Sequence, residues 1–234
     1  KSEQAFNFEK AVRTYLALVG KYPESDKRAD AQLNAALALE GQQKYKKAAK
    51  EFERYADMFP DKQEAPDVFF RSALIHAKRK DTRAQIKTLQ EFIKRYKSKE
   101  EQIPKVVEAY VRIADIHLER YDKVKTAKKV KKRAKKLKAA RKDVEAALNK
   151  AKEFHEQAPN SPAATYYAAK ADFYLSEFIY AEYAKTGMTG TSAKKQGGQL
   201  KEKTEKLLEV QKVYELLFHC FYRYPFFIFY INTI

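Results

Sequence analysis

Apolar and polar residues in the first part of the chain form a pattern that returns every 37 residues. Tyr22-Pro23, Phe59-Pro60 and Tyr96-Lys97 close three similar segments at that interval. An amphipathic stretch leads up to each: Phe8-Glu9-Lys10-Ala11 runs on to Tyr15, and Tyr45-Lys46-Lys47-Ala48 runs on to Phe52. Small and aromatic residues at helical spacing between proline stops predict amphipathic helices, with strand nearly absent. A fixed period of this size implies stacked helical hairpins, because no single hairpin can bury its own apolar face.

The clearest unit covers 29–60. Ala36 falls where the two helices of a hairpin cross, Leu39 at the next apolar site, and Tyr45 opens the second helix. Ala48, Phe52 and Pro60 then mark the second helix and its stop. A small side chain lets two helix axes approach to about 8–10 Å, an aromatic fills the groove beside it, and proline ends the helix. Residues 8–23 read as the second helix of a preceding unit, so the chain is expected to begin in mid-repeat. Unit 66–97 carries Ala73 at the crossing, with Gln85 where alanine is expected. Unit 107–159 has Tyr110, Ile113 and Ala114, then Ala147 and Phe154, with a basic insertion at 121–142. Unit 164–225 has Tyr167, Ala171 and Tyr174, then a flexible loop at 186–198 and a second helix from about Gln199.

Laid on these positions, the chain resembles the tetratricopeptide repeat family. The 37-residue spacing, with Tyr22-Pro23-Glu24-Ser25 after one hairpin, is similar to the branch found in bacterial cell-envelope proteins, such as the Tol–Pal-associated coordinator and the barrel-assembly lipoprotein. The resemblance implies an all-α, right-handed superhelix of antiparallel hairpins, 1–234 forming a single solenoid. It also implies a non-enzymatic scaffold that holds a protein or peptide segment in the concave groove, in a bacterial envelope or periplasm.

Charge adds a second feature. The 234 residues carry 48 basic and 31 acidic side chains, a net +17. Within 121–142 stand twelve Lys or Arg and one acid, Asp122. Lys128, Lys129, Lys131, Lys132, Arg133, Lys135 and Lys136 form its centre, while Val124, Ala127, Val130, Ala134 and Leu137 recur at helical spacing. The plain reading is a solvated helical arm. The functional alternative is attachment to a polyanion, whether an acidic protein, nucleic acid or an anionic membrane. No aromatic lies between Val124 and Arg141, so base stacking lacks its usual platform.

Signatures of catalysis are missing. Gly187, Gly190, Gly197 and Gly198 lack the lysine-threonine ending of a phosphate loop, and there is no nucleophile elbow or zincin helix. His76 and His117 share one repeat position, three residues after Ala73 and Ala114, and read as inward-facing histidines, not metal ligands. No cofactor and no metal are expected. The single Cys220 sits in an apolar stretch and reads as an inert thiol. The longest greasy run, Phe226 to Ile231, is far short of the ~20 residues of a transmembrane segment.

The expected partner groove is lined by the first helix of each hairpin: Leu33, Asn34 and Leu37, then Phe70, Arg71 and Lys78, then Val111, Arg112 and Asp115. Asn34, Arg71 and Arg112 fall at one equivalent position and would form a polar ladder for a peptide backbone or carboxylate. The carboxylate clamp of the chaperone-binding members is absent, since Leu33 and Leu37 stand at its sites. The hydrophobic tail 226–234 is expected to fold back on Leu216, Leu217, Cys220 and Phe221 as a makeshift cap.

Overall fold

A computed structural model describes residues 2–128, 131–187 and 189–223, with side chains over 7–128, 131–187 and 189–215. Among the described residues the structure is helical, with turns between and no strand. The tail 226–234, and the side chains expected to receive it, lie outside them. The chain divides into two compact units, Lys1–Gln102 and Ile103–Ile234.

The first unit holds α1 (Ser2–Lys21), α2 (Arg28–Gly41), α3 (Tyr45–Met58), α4 (Ala65–Lys78) and α5 (Thr82–Tyr96), then a short 3₁₀ turn at Glu100–Gln102. Each helix packs on the next in the chain. Ala36 and Ala48, the predicted crossing residues, are fully buried, and so is Phe52 beside them. In the next hairpin Ala73 fills the same role. Phe92 stands edge-on to Phe70 at 5.0 Å and tilts against Tyr96 at 4.9 Å. Gln85, standing where alanine was expected, is buried too.

The repeat also shows in the backbone. Gln43 and Lys80 adopt the left-handed conformation, at φ of 59° and 56°, one period apart. In the first turn the Gln43 amide donates to the Glu40 carbonyl and the Lys44 amide to that of Leu39. The second turn repeats this, Lys80 to Ala77 and Asp81 to His76. These paired bonds end α2 and α4 with a left-handed residue, a task usually given to glycine. Asp81 then caps α5, its carboxylate accepting from the Ala84 amide at 3.1 Å.

The second unit holds α6 (Ile103–Thr126), α7 (Arg133–His155), α8 (Pro162–Lys185) and α9 (Ala193–Arg223). α6 packs on α7 and α8, α7 on α8, and α8 on α9. These helices are much longer than α2–α5 of the first unit: α6 has 24 residues where α2 has 14. The basic stretch is therefore continuous with its hairpin, α6 running to Thr126 and α7 starting at Arg133. Its base is packed. Tyr121 meets Phe178 edge-on at 5.4 Å, and the Arg141 guanidinium lies 4.9 Å over the same ring. Val144 and Leu148 of α7 and Val106, Val107 and Val111 of α6 form the buried seam below.

The expected loop at 186–198 is shorter than the glycines suggested. α9 begins at Ala193 and takes Gly197 and Gly198 into its second turn. The reason is local. Gln196 donates to the Gly190 carbonyl at 2.9 Å and Gln199 accepts from the Gly190 amide at 3.0 Å, so the first two turns of α9 hold their own approach.

Candidate functional site

On α2, Asn34 is exposed, Leu33 is half-buried and Leu37 keeps 36% of its surface in water. The same helix buries Ala31, Gln32, Ala35, Ala36 and Leu39. On α4, Arg71 and Lys78 are exposed and Leu74 is half-buried. The two helix faces are tied by Glu40, whose carboxylate accepts from Arg71 Nε at 2.8 Å and Lys78 Nζ at 2.6 Å. Burial pushes the Glu40 carboxyl up, but bonding from Lys78 and Arg71 outweighs it and holds the group below its ordinary value. Both cations also rest on aromatic faces, Arg71 over Phe52 at 5.3 Å and Lys78 over Tyr45 at 5.9 Å.

Phe70 is 5% exposed and belongs to the core with Phe92, so it stands behind the α4 surface rather than on it. Val111 in the second unit is fully buried, for the same reason. Arg112 donates to Glu108 at 2.7 Å and Asp115 accepts from Lys170 at 3.0 Å, so both are engaged within their unit. Of the three ladder positions, Asn34 alone meets solvent without an ion pair; Arg71 serves Glu40 and Arg112 serves Glu108.

Charges of opposite sign one repeat apart were missed in the sequence. Besides Lys78 with Glu40, Lys44 reaches Glu9 and Arg95 reaches Asp57 at 2.6 Å; the neutral Thr88 hydroxyl donates to Glu53 at 3.2 Å over the same interval. All these partners lie 35 to 38 residues apart, and opposite charges at the repeat interval were the readable signal.

Residues 30–62 match the tetratricopeptide repeat family. That is the α2–α3 hairpin, the unit whose small and aromatic positions carried the resemblance. No curated protein matches the chain. Among solved structures it is similar to a tetratricopeptide repeat protein from Parabacteroides merdae, with 11% identity over 93% of this chain and 92% of that one, at a TM-score of 0.33. It is also similar to a de novo designed helical repeat protein, with 17% identity over 92% of this chain and 99% of the other, at a TM-score of 0.35.

Each described histidine has its own surroundings. His76 Nε2 lies 3.5 Å from Glu53, and His155 Nε2 is 3.2 Å from the Thr165 hydroxyl. Burial pushes the His117 imidazole down from its ordinary value. Among the described residues no three His, Cys, Asp or Glu side chains are grouped to hold a metal ion, and no helix is long and apolar enough to cross a membrane. In the basic hairpin Lys128, Lys131, Lys132, Lys135 and Lys136 are all exposed, and Arg133 donates to the Ala127 carbonyl. Lys129 lies outside the described residues.

Proposed function

We propose that the protein is a non-enzymatic interaction scaffold that holds a segment of a partner protein on the first-helix face of its N-terminal hairpins. Tetratricopeptide repeats generally mediate protein–protein interaction, and the α2–α3 hairpin matches that family. The observation that carries the reading is the α2 face, where Leu33 and Leu37 meet solvent beside exposed Asn34. Arg71 and Lys78 of α4 border it, already held in place by Glu40. Side chains fixed before binding lose little entropy when a ligand arrives. The partner chemistry that fits is a segment with one or two aliphatic anchors and an acidic residue. The anchors would cover the leucines and the acid would share the Arg71–Lys78 pair.

Panning a displayed random-peptide library against the full chain tests this. Enriched peptides should carry aliphatic and acidic residues and lose at least tenfold in affinity to Leu37→Asp, a loss of about 1.4 kcal/mol. Enriched peptides indifferent to Leu37→Asp and Arg71→Ala would defeat the reading.

The 37-residue period and the Tyr22-Pro23-Glu24-Ser25 exit support placing this scaffold with the bacterial cell-envelope branch of the family. Fractionation of the source cells should then recover the protein with the envelope or periplasm, and recovery only with cytosol would remove that placement.

A further inference from the structure

We propose that the tip of the α6–α7 hairpin is an attachment surface for an anionic lipid bilayer, a role separate from the groove on the first unit. From Lys123 to Lys142 the sequence has twelve cations and no acid. Several cations of the second unit are paired: Lys152 with Asp172, Lys170 with Asp115, Lys206 with Glu202 and Glu182, and Lys123, at the base of the basic stretch, with Glu119. At the tip they are not. Lys128, Lys131, Lys132, Lys135, Lys138 and Lys142 are exposed and make no ion pair with the described residues. Like charges held this close repel one another, so the hairpin is stabilised by whatever anion covers it.

Of the two arginines there, Arg141 is fully engaged and Arg133 gives one donor to the backbone. Arg133 donates to the Ala127 carbonyl, and Arg141 to Glu145 and Glu182 while lying over Phe178. The rest of the cationic surface is lysine, a point charge without the planar fork that reads bases or phosphates in a fixed geometry. No aromatic side chain stands between Val124 and Arg141 to stack a base.

Shape decides between the polyanions. Lys135, Lys138 and Lys142 recur at three and four residues along α7, which places them on one stripe facing away from the seam of Leu137, Arg141 and Val144. The tip lysines Lys128, Lys131 and Lys132 continue the cationic surface at the turn. A DNA major groove about 12 Å wide admits one helix, and two packed helices are too broad to enter it. A bilayer is a plane of phosphates that meets a broad, straight lysine face in many places at once. Among the described residues the tip exposes no large apolar side chain, so the attachment is electrostatic and reversible, without insertion.

The test is cosedimentation of the full chain with vesicles of phosphatidylcholine alone, and of phosphatidylcholine mixed equally with phosphatidylserine. Binding is expected to the mixed vesicles only. It should be strong at about 0.1 M salt, where charges are screened over roughly 10 Å, and absent at about 1 M, where the distance is roughly 3 Å. Each lysine neutralised should weaken binding about fivefold, so the triple variant Lys131→Gln, Lys135→Gln, Lys138→Gln should lose about a hundredfold. Its thermal melt should match the parent, because all three side chains are exposed. Equal binding to both vesicle types, no binding to either, or a triple variant that binds like the parent would overturn the proposal. So would duplex DNA or RNA that displaces the protein from mixed vesicles at matched phosphate, which would make the tip a nucleic-acid surface.

Discussion

Replacing Gln43 or Lys80 with glycine should make this protein more stable. Both residues hold the left-handed conformation, at φ of 59° and 56°, and both side chains are exposed, so no packing is lost on truncation. An L-residue with a Cβ gives up roughly 1–2 kcal/mol in that conformation. Glycine avoids the clash but gives back roughly 0.5–1 kcal/mol in backbone entropy on folding. The balance is a gain of about 0.5–1 kcal/mol at each site. The two turns lie one repeat apart and share no partner, so the double variant should gain about 1–2 kcal/mol. In a chain of this length about 1 kcal/mol moves the melting temperature by roughly 2–4 °C. Thermal melts followed by circular dichroism read this directly, with Lys50→Gly as the control. Lys50 is exposed inside α3, where glycine should cost about 1 kcal/mol. If Gln43→Gly and Lys80→Gly lower the melting temperature as Lys50→Gly does, these turns are not left-handed and the repeat register is wrong.

Four further outcomes follow from the packing. Ala48 is fully buried at a helix crossing, so Ala48→Phe should overpack the first hairpin and cost about 1–3 kcal/mol in the same melt. Gly197 and Gly198 lie inside α9 with nothing near an added Cβ, so each Gly→Ala change should stabilise by about 0.4–1 kcal/mol, and a loss would mean that this stretch is not helical. The Glu40 and Glu53 carboxyls sit below their ordinary 4.5 in the folded chain, so the stability they contribute is present above that pH and lost as pH falls through their folded values; acid titration of the double variant Glu40→Gln, Glu53→Gln should show a flatter acid limb than the parent. Replacing 123–140 with a short Gly/Ser turn should leave the melt near the parent's, whereas Arg141→Ala, which strips Glu145, Glu182 and Phe178 of their partner, should cost about 1–2 kcal/mol.

The helical architecture was legible because it rests on residue size and period. Ala36, Ala48 and Phe52 are buried where the 37-residue pattern put them, since a crossing admits only a small residue and its groove wants an aromatic. The face of each first helix was harder to read. In a stacked hairpin a first helix packs on more than one neighbour, so its buried arc is wide, and Phe70 and Val111 fell inside it. The long-range ties were hidden because an ion pair leaves no periodic mark in one segment; Glu40 finds Arg71 and Lys78 only once the next hairpin is stacked. Glycine misled at 197–198, where two flexible residues are carried by helix formers on either side. The left-handed turns lacked their usual signal altogether, because Gln43 and Lys80 stand where glycine normally marks a helix end.

The central claim is that a partner segment is held on the first-helix face of the N-terminal hairpins. Amide hydrogen exchange of the full chain, with and without a peptide enriched by library panning, tests it most directly. Added protection is expected on α2 and α4, around Leu33, Leu37, Arg71 and Lys78, and should vanish in Leu37→Asp. Protection confined to α3 and α5, or to the α6–α7 tip, would contradict it.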